Sequence, residues 1–222
     1  MLTASKKSAM LPLELSATVA DKVEKKLILA IGLGELKSGE RVTETGLAET
    51  LNVSRVPVRE AMQRLNTFGV LQTGDGRGMS VSNYEGQRVS DLMEMRLAVE
   101  RVMFNRVLIQ TESKEKLIKK LEENVACMSN MAPEADTVEL TKIDLEFHGI
   151  IASHCDNTFV QSVWPGLAPH LMIVFCGDWN VLSHRASAPK DHQDLIEFIK
   201  NGSVKDTDAI LKQHFPTVLL GR

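Results

Sequence analysis

The sequence predicts a mainly α protein: a helix-turn-helix unit with a small β-hairpin wing, followed by an all-α antiparallel helical bundle. Three observations carry this. Val58, Ala61, Met62 and Leu65 recur at helical spacing while Arg55, Arg59, Gln63 and Asn66 fall on the opposite side, so one helix has an apolar face and a polar face. Just beyond it, residues 70–73 and 79–81 are short strand-like runs around the glycine-rich turn 74–78. After residue 86 the pattern is helical throughout, with no strand signal. The expected division is a flexible tail over 1–14, a reader domain over 15–81, a polar linker over 82–86 and a helical domain over 87–222.

Taken in order, Val19, Val23, Leu27, Leu29 and Ala30 mark a helix over 15–33 that ends at the glycines 32 and 34. Leu47, Ala48 and Leu51 share one side of the next helix, which stops at Asn52, a residue that tolerates the left-handed conformation. Ser54 is a good N-cap for the helix that follows. Pro57 in its first turn costs little, because those N–H groups have no helical partner. Further helices are expected over 87–110, from a cap at Ser113 to 131 with Pro133 as breaker, over 135–153, over 158–176, over 189–200 and over 203–219. Six helices in this length pack as an antiparallel bundle.

A helix-turn-helix with a wing reads DNA. The N-terminal end of the second helix enters the major groove, where an arginine fork bonds two acceptors on guanine and the helix terminus faces phosphate. Arg55 and Arg59 are the candidate base readers, and Ser54 is a phosphate contact. Arg77 in the wing reaches backbone or minor groove, and Pro57 and Gly78 complete the interface. The competing reading is a set of surface arginines, with Arg59 or Arg64 paired to Glu60.

The whole chain of 222 residues has a net charge of −3, which does not by itself favour a nucleic-acid partner. The charge is uneven, however. Residues 1–81 hold 11 Lys and Arg against 9 Asp and Glu, so the basic excess lies in the reader and the acidic excess beyond it. The excess is small, and a dimer would strengthen binding. With 43% hydrophobic and 25% charged residues the composition is that of an ordinary globular protein. Cys127, Cys155 and Cys176 form no CxxC pair, no run of 18 apolar residues occurs, and the N-terminus lacks a secretory pattern. A cytoplasmic protein with no membrane partner is expected.

In the second half, Asp144 and His148 are four residues apart and share a helix face, while His192 and His214 lie on two other helices. An Asp with three His suits Zn²⁺, Ni²⁺, Mn²⁺, Fe²⁺ or Co²⁺ better than Ca²⁺ or Mg²⁺. Spacing alone favours histidines with no shared role, since the chain has six of them and His154, His170 and His184 need none.

A family resemblance bears on both halves. Gly34-Glu35-Leu36-Lys37-Ser38-Gly39-Glu40, Leu47-Ala48, Val53-Ser54-Arg55-Val56-Pro57-Val58-Arg59-Glu60-Ala61 and Gly76-Arg77-Gly78 with Val81 resemble the DNA-binding domain of the GntR family of bacterial transcription regulators. Thr45 departs from it where some members carry a DNA-contacting arginine, as does Phe68-Gly69, where an acidic residue and glycine are usual. Asp144-Leu145-Glu146-Phe147-His148, Asp156-Asn157, His192 and His214, with Glu94-Met95-Arg96-Leu97 and Glu100, are similar to the FCD-type effector domain of the FadR-like branch.

The resemblance implies that Asp144, His148, His192 and His214 coordinate one divalent ion, with Arg96 and Asn157 near an effector. Arg96 is read equally well as a partner of Glu94 or Glu100, and Asn157 as a helix cap. The expected protein is a homodimeric repressor on two-fold operator DNA, controlled by a small carboxylate bound beside the metal, and not an enzyme. A metal-free pocket for a larger ligand such as an acyl-CoA is the alternative, and a metalloenzyme using the Asp/His₃ site is the second.

Overall fold

The computed structural model describes residues 17–74, 78–110, 114–131, 137–178 and 182–215, with side chains left out at 177–178 and 182–186. The expected tail, Arg77, the Ser113 cap, the Pro133 break, the start of a helix at 135 and the helical run after 215 lie outside the described residues.

The reader begins with α1 (Val19–Gly32). Thr18 accepts from Asp21 N, and the Asp21 carboxylate accepts from Thr18 N, a reciprocal box that satisfies two unpaired N–H groups. Thr43 caps α2 (Glu44–Leu51), and Asn52 ends it at φ 51° in the left-handed region, as expected from its side chain. In α3 (Arg55–Thr67) Val58, Ala61, Met62 and Leu65 are the buried face. Strands β2 (Leu71–Thr73) and β3 (Met79–Val81) form the expected hairpin, pairing Leu71 with Val81 and Thr73 with Met79.

The sheet has a third strand. β1 (Arg41–Val42) pairs with β3, so the order is β1-β3-β2. Gly78 explains why the wing can close on β1: it adopts φ +116°, and a Cβ there would stand 2.7 Å from the Val42 carbonyl oxygen.

The bundle follows as α4 (Gln87–Ile109), α5 (Lys114–Ser129), α6 (Thr137–His154), α7 (Thr158–Asp178), α8 (Leu182–Asn201), a short 3₁₀ turn (Val204–Asp206) and α9 (Thr207–His214). Its core gathers Met93, Phe104, Leu121, Phe147, Ile151, Leu171, Leu195 and Ile199. Helix α8 corrects the expected start at Pro189, which lies inside it. The proline removes one helical hydrogen bond, but buried Ala188 packs with Met128 and Leu140, and that tertiary contact keeps the turn together. Pro165 and Pro169 likewise sit inside α7, which packs on α1, α4 and α6.

Helix α7 belongs to both halves. Leu171 and Phe175 join the bundle core, whereas Met172, Ile173 and Cys176 join the reader core beside Val23, Leu27 and Ile31. Its stretch Thr158–Cys176 is long and apolar enough by composition to cross a membrane. Contacts with α1, α4 and α6 bury one side of it, including Leu171, Met172, Ile173 and Phe175, while Phe159 and Val163 stay exposed.

Candidate nucleic-acid interface and metal centre

The inward apolar stripe of α3 leaves Arg55 and Arg59 exposed on its first turns, with side chains 59% and 51% accessible. Ser54 takes the extended cap conformation but makes no side-chain cap bond, so its hydroxyl is not committed to the helix. Pro57 is half-buried and Gln63 exposed on the same helix.

Both arginines meet one carboxylate that sequence reasoning missed. Glu44, in the first turn of α2, accepts from Arg59 Nε at 2.9 Å and Nη2 at 3.0 Å, and from Arg55 Nη2 at 3.3 Å. These bonds hold Glu44 below its ordinary pKa and raise that of Arg59, although the pair is exposed and readily exchanged. Because Arg59 spends its Nε edge on Glu44, the end of its fork formed by Nη1 and Nη2 can still face outward.

The Glu60 pairings of the competing reading are replaced by others. Arg64 bonds Asp21 at 2.6 Å and Glu24 at 3.4 Å on α1, and the Arg64 contact with the Thr18 cap bonds lowers the Asp21 pKa to about 2. Val56 is the other overlooked residue, an apolar side chain 62% exposed between the two arginines.

The second site is buried. Asp144 and His148 lie on α6, His192 on α8 and His214 at the end of α9, and one donor atom from each falls within 4.8 Å of all the others. His148 Nε2 and His214 Nε2 are 3.3 Å apart. Two nitrogens bound to one ion at about 2.1 Å would stand about 3.0–3.4 Å apart. The structure therefore brings together all four residues expected to act as ligands.

Their surroundings set the tautomers. His192 donates Nδ1–H to the Ala188 carbonyl at 2.8 Å and so turns Nε2 inward. His148 Nδ1 lies 3.0 Å from Glu100 Oε2, and Arg96 Nε donates to Glu100 Oε1 at 2.6 Å. Arg96 is 2% exposed, its guanidinium is held between the rings of Phe175 and Phe215, and its Nη2 stands 3.9 Å from Asp144 Oδ2. It is thus a buried partner of Glu100 and not a surface ion pair.

Charge in the cluster is ordered by these contacts. Burial opposes ionisation of Asp144, but contact with His192 and the charge of Arg96 outweigh it and keep the carboxyl well below its usual range. Burial opposes the Glu100 carboxylate as well, and Arg96 and His148 overcome that. Burial, with His192 and His148 nearby, pushes His214 well below its ordinary value and leaves it neutral.

Even so, Arg96 Nη2, Glu100 Oε2, Asp144 Oδ2, His148 Nδ1, His192 Nε2 and His214 Nδ1 lack an aligned hydrogen-bond partner. A buried polar group left wholly without a partner costs roughly 1–3 kcal/mol, and here the contacts of His148 with Glu100 and of His192 with Asp144 offset part of it. The donor set fits a divalent ion, which would engage the carboxylate and imidazole lone pairs together. Asn157 is not needed for this: its Oδ1 accepts from Phe159 N and Val160 N at 3.0 and 3.2 Å and caps α7.

The two sites are connected through α7. His170 Nε2 donates to the Phe68 carbonyl at the end of α3 at 2.7 Å, and Tyr84 OH bonds His170 Nδ1 at 2.8 Å. Arg88 Nη2 and Ser82 Oγ both donate to the Gly69 carbonyl. On α7 and nearer the cluster, the Trp164 ring is 6.2 Å from that of His148, and Phe175 lies under Arg96. His170, to which no sequence pattern assigns a role, is a contact between the two halves.

Residues 19–81 match the family of bacterial regulatory proteins described as gntR, and residues 91–216 match the FCD domain. The chain belongs to the GntR family. Among its relatives, the Nta operon transcriptional regulator of Aminobacter aminovorans is 31% identical over 187 residues, covering 82% of this chain and 86% of that protein. The gluconate operon transcriptional repressor of Bacillus subtilis is 26% identical over 185 residues, covering 83% and 73%. The solved structure of E. coli McbR/YncC shares the fold, with a TM-score of 0.70 at 18% identity over 90% of this chain and 94% of that one. This GntR-family protein is a transcription regulator with an FCD domain, and its relatives are regulators, not enzymes.

Proposed function

We propose that this regulator is a homodimeric repressor, working in the cytoplasm on two-fold operator DNA, whose DNA affinity is set by a small carboxylate bound at a divalent metal centre. The observation that carries the reading is the buried set of Asp144, His148, His192 and His214, whose ligand atoms lie within 4.8 Å of one another, with Asp144 Oδ2 and His192 Nε2 lacking aligned hydrogen-bond partners. An apolar pocket for an acyl chain would leave the Asp144 carboxylate and His192 Nε2 without a partner, and a cation there would engage both.

Asp144, His148, His192 and His214 would hold the ion, which is Zn, Ni, Mn, Fe or Co by donor type. Bound there, it would supply a Lewis-acidic contact for the effector carboxylate. Arg96 would add the second positive charge, being within reach of Asp144 and short of one hydrogen bond, and Asn157 could offer its amide. Gluconate, for which the B. subtilis relative's operon is named, is a carboxylate of this kind.

At the other end, Arg55 and Arg59 read base edges, Ser54 and Arg77 contact the backbone, Pro57 and Gly78 shape the helix start and wing, and Val56 suits a thymine methyl. The effector's signal would pass along α7, which touches His148 through Trp164 and the end of α3 through His170. It alters DNA binding only if the effector prefers one arrangement of α7 to the other.

The test is metal analysis of protein purified without chelator or nickel resin, followed by operator binding with a panel of small carboxylates. About one divalent ion per chain is expected, with loss in His192→Ala. Protein that contains no ion and takes up none of the five on titration overturns the reading.

A further inference from the structure

Glu44 stands where the parts of the reader converge. Gly46 N donates to Thr43 Oγ1 at 3.1 Å and fixes the start of α2, and the wing closes on the same corner, where a Cβ on Gly78 would meet Thr43 Cγ2 at 3.2 Å. From that first turn the Glu44 carboxylate reaches α3. Its Oε1 accepts from Arg59 Nε, and its Oε2 accepts from Nη2 of both Arg59 and Arg55. One anion therefore holds two cations that lie about a helical turn apart.

An anion on a surface that meets phosphate needs a reason, because it repels the polyanion that the arginines attract. Folding does not supply one, since the pairs are exposed and contribute little to stability. The donor count does. A guanidinium has five N–H groups, and Glu44 takes only one from Nε and one from Nη2 of Arg59. The three left over lie along the Nη1 and Nη2 end, which matches O6 and N7 of guanine. Contact with Glu44 and contact with a base are therefore compatible.

We propose that Glu44 is a positioning residue for base reading: it holds Arg59, and through Oε2 also Arg55, in the orientation that meets base edges, and its charge disfavours their use on phosphate. The proposal rests on the reading of Arg55 and Arg59 as base contacts and adds how operator is told from random DNA. At an operator Arg59 binds by its free end with Glu44 still bonded, so its side chain is ordered before the DNA arrives. On random DNA the arginines swing to phosphates, which leaves the carboxylate unpaired beside the polyanion. The same side chain helps one complex and hinders the other. Arg55, on a single bond of 3.3 Å, is the more adjustable of the two.

The experiment titrates the full chain at fixed salt with a duplex recovered by selection from a random-sequence pool, and with a random duplex of equal length. Glu44→Gln keeps shape and removes charge. It should bind the selected duplex roughly threefold to tenfold more weakly, the effect of ordering one or two long side chains on binding, and the random duplex at least as tightly as the unaltered chain. Glu44→Asp keeps the charge but is one methylene short, and should lose affinity for the selected duplex without gaining any for the random one. In an Arg59→Ala background Glu44→Gln should lose most of its effect on the selected duplex. Circular dichroism and the unfolding midpoint check that each variant folds. A ratio of selected to random affinity that does not fall in Glu44→Gln overturns the proposal, whether both affinities rise, both drop or neither moves. An undiminished effect in the Arg59→Ala background overturns it as well, since Glu44 would then not act through that arginine. Equal losses on both duplexes from Arg59→Ala alone overturn the base reading beneath it.

Discussion

The reader surface and the buried cluster both contain arginines facing carboxylates, yet they are built to opposite ends. At the reader, Arg55 and Arg59 rest on Glu44 in water, where such pairs contribute little to stability. They can be exchanged for DNA at little cost. In the bundle, Arg96, Glu100, Asp144 and three histidines are shielded from solvent and incompletely bonded, so losing a contact there is expensive. The first arrangement is adjustable and the second demands an occupant. The difference teaches that exposure, more than residue type, decides whether a charge cluster is a recognition surface or a ligand centre.

The largest effect that could break this contrast is loss of the occupant. Chelation, or His148→Ala, should remove the metal and lower the bundle's stability by several kcal/mol, while the reader's helices persist; calorimetry with metal analysis checks it. An unchanged metal content in His148→Ala would remove that residue from the ligand set.

Next in size is Arg59→Ala, expected to cost roughly 1–3 kcal/mol in operator affinity with a smaller loss on random DNA. Equal losses on both, measured by titration at fixed salt, would make Arg59 a phosphate contact.

Glu100→Gln sharpens the comparison from the other side. It keeps shape but removes the charge that faces His148 and Arg96, and should weaken metal binding roughly 10–100-fold by competition titration. Glu44→Gln, the exposed counterpart, should alter folding stability by less than about 1 kcal/mol.

The smallest effect concerns pH. Burial and then the Arg88 charge lower the His170 pKa, against the pull of the Phe68 carbonyl. The folded state therefore prefers neutral His170, and the unfolded chain binds the proton more readily. Stability should fall as pH drops through the unfolded value, roughly 6.5. His170→Gln should flatten the midpoint of thermal unfolding between about pH 7.5 and 5.5.

How much of this was legible depended on how local the cause was. The α3 faces, the Asn52 stop and the hairpin follow from neighbouring residues, and the sequence shows them. Strand β1 is two residues long and exists only because β3 lies beside it. The start of α8 was misplaced because a proline reads as a boundary, whereas burial of Ala188 carries the helix through it.

At the ligand cluster the spacing of Asp144 and His148 was visible, but nothing local joins His148 to His214, 66 residues away. Family resemblance supplied that link. Glu100 was hidden for another reason: four residues from Arg96, it looks like one half of a surface pair until the fold buries both. Glu44 was missed because its partners lie on another helix.

The double membership of α7 also bears on inheritance. Met172, Ile173 and Cys176 complete the reader's core from within the effector half, and Gly32 of α1 lies so close that a side chain there would stand 3.0 Å from the Cys176 Cβ. A reader transplanted from a cousin would arrive without the matching groove. The two halves must therefore evolve as a fitted pair, with new effectors acquired by changing residues behind α7 sooner than by exchanging whole modules across it.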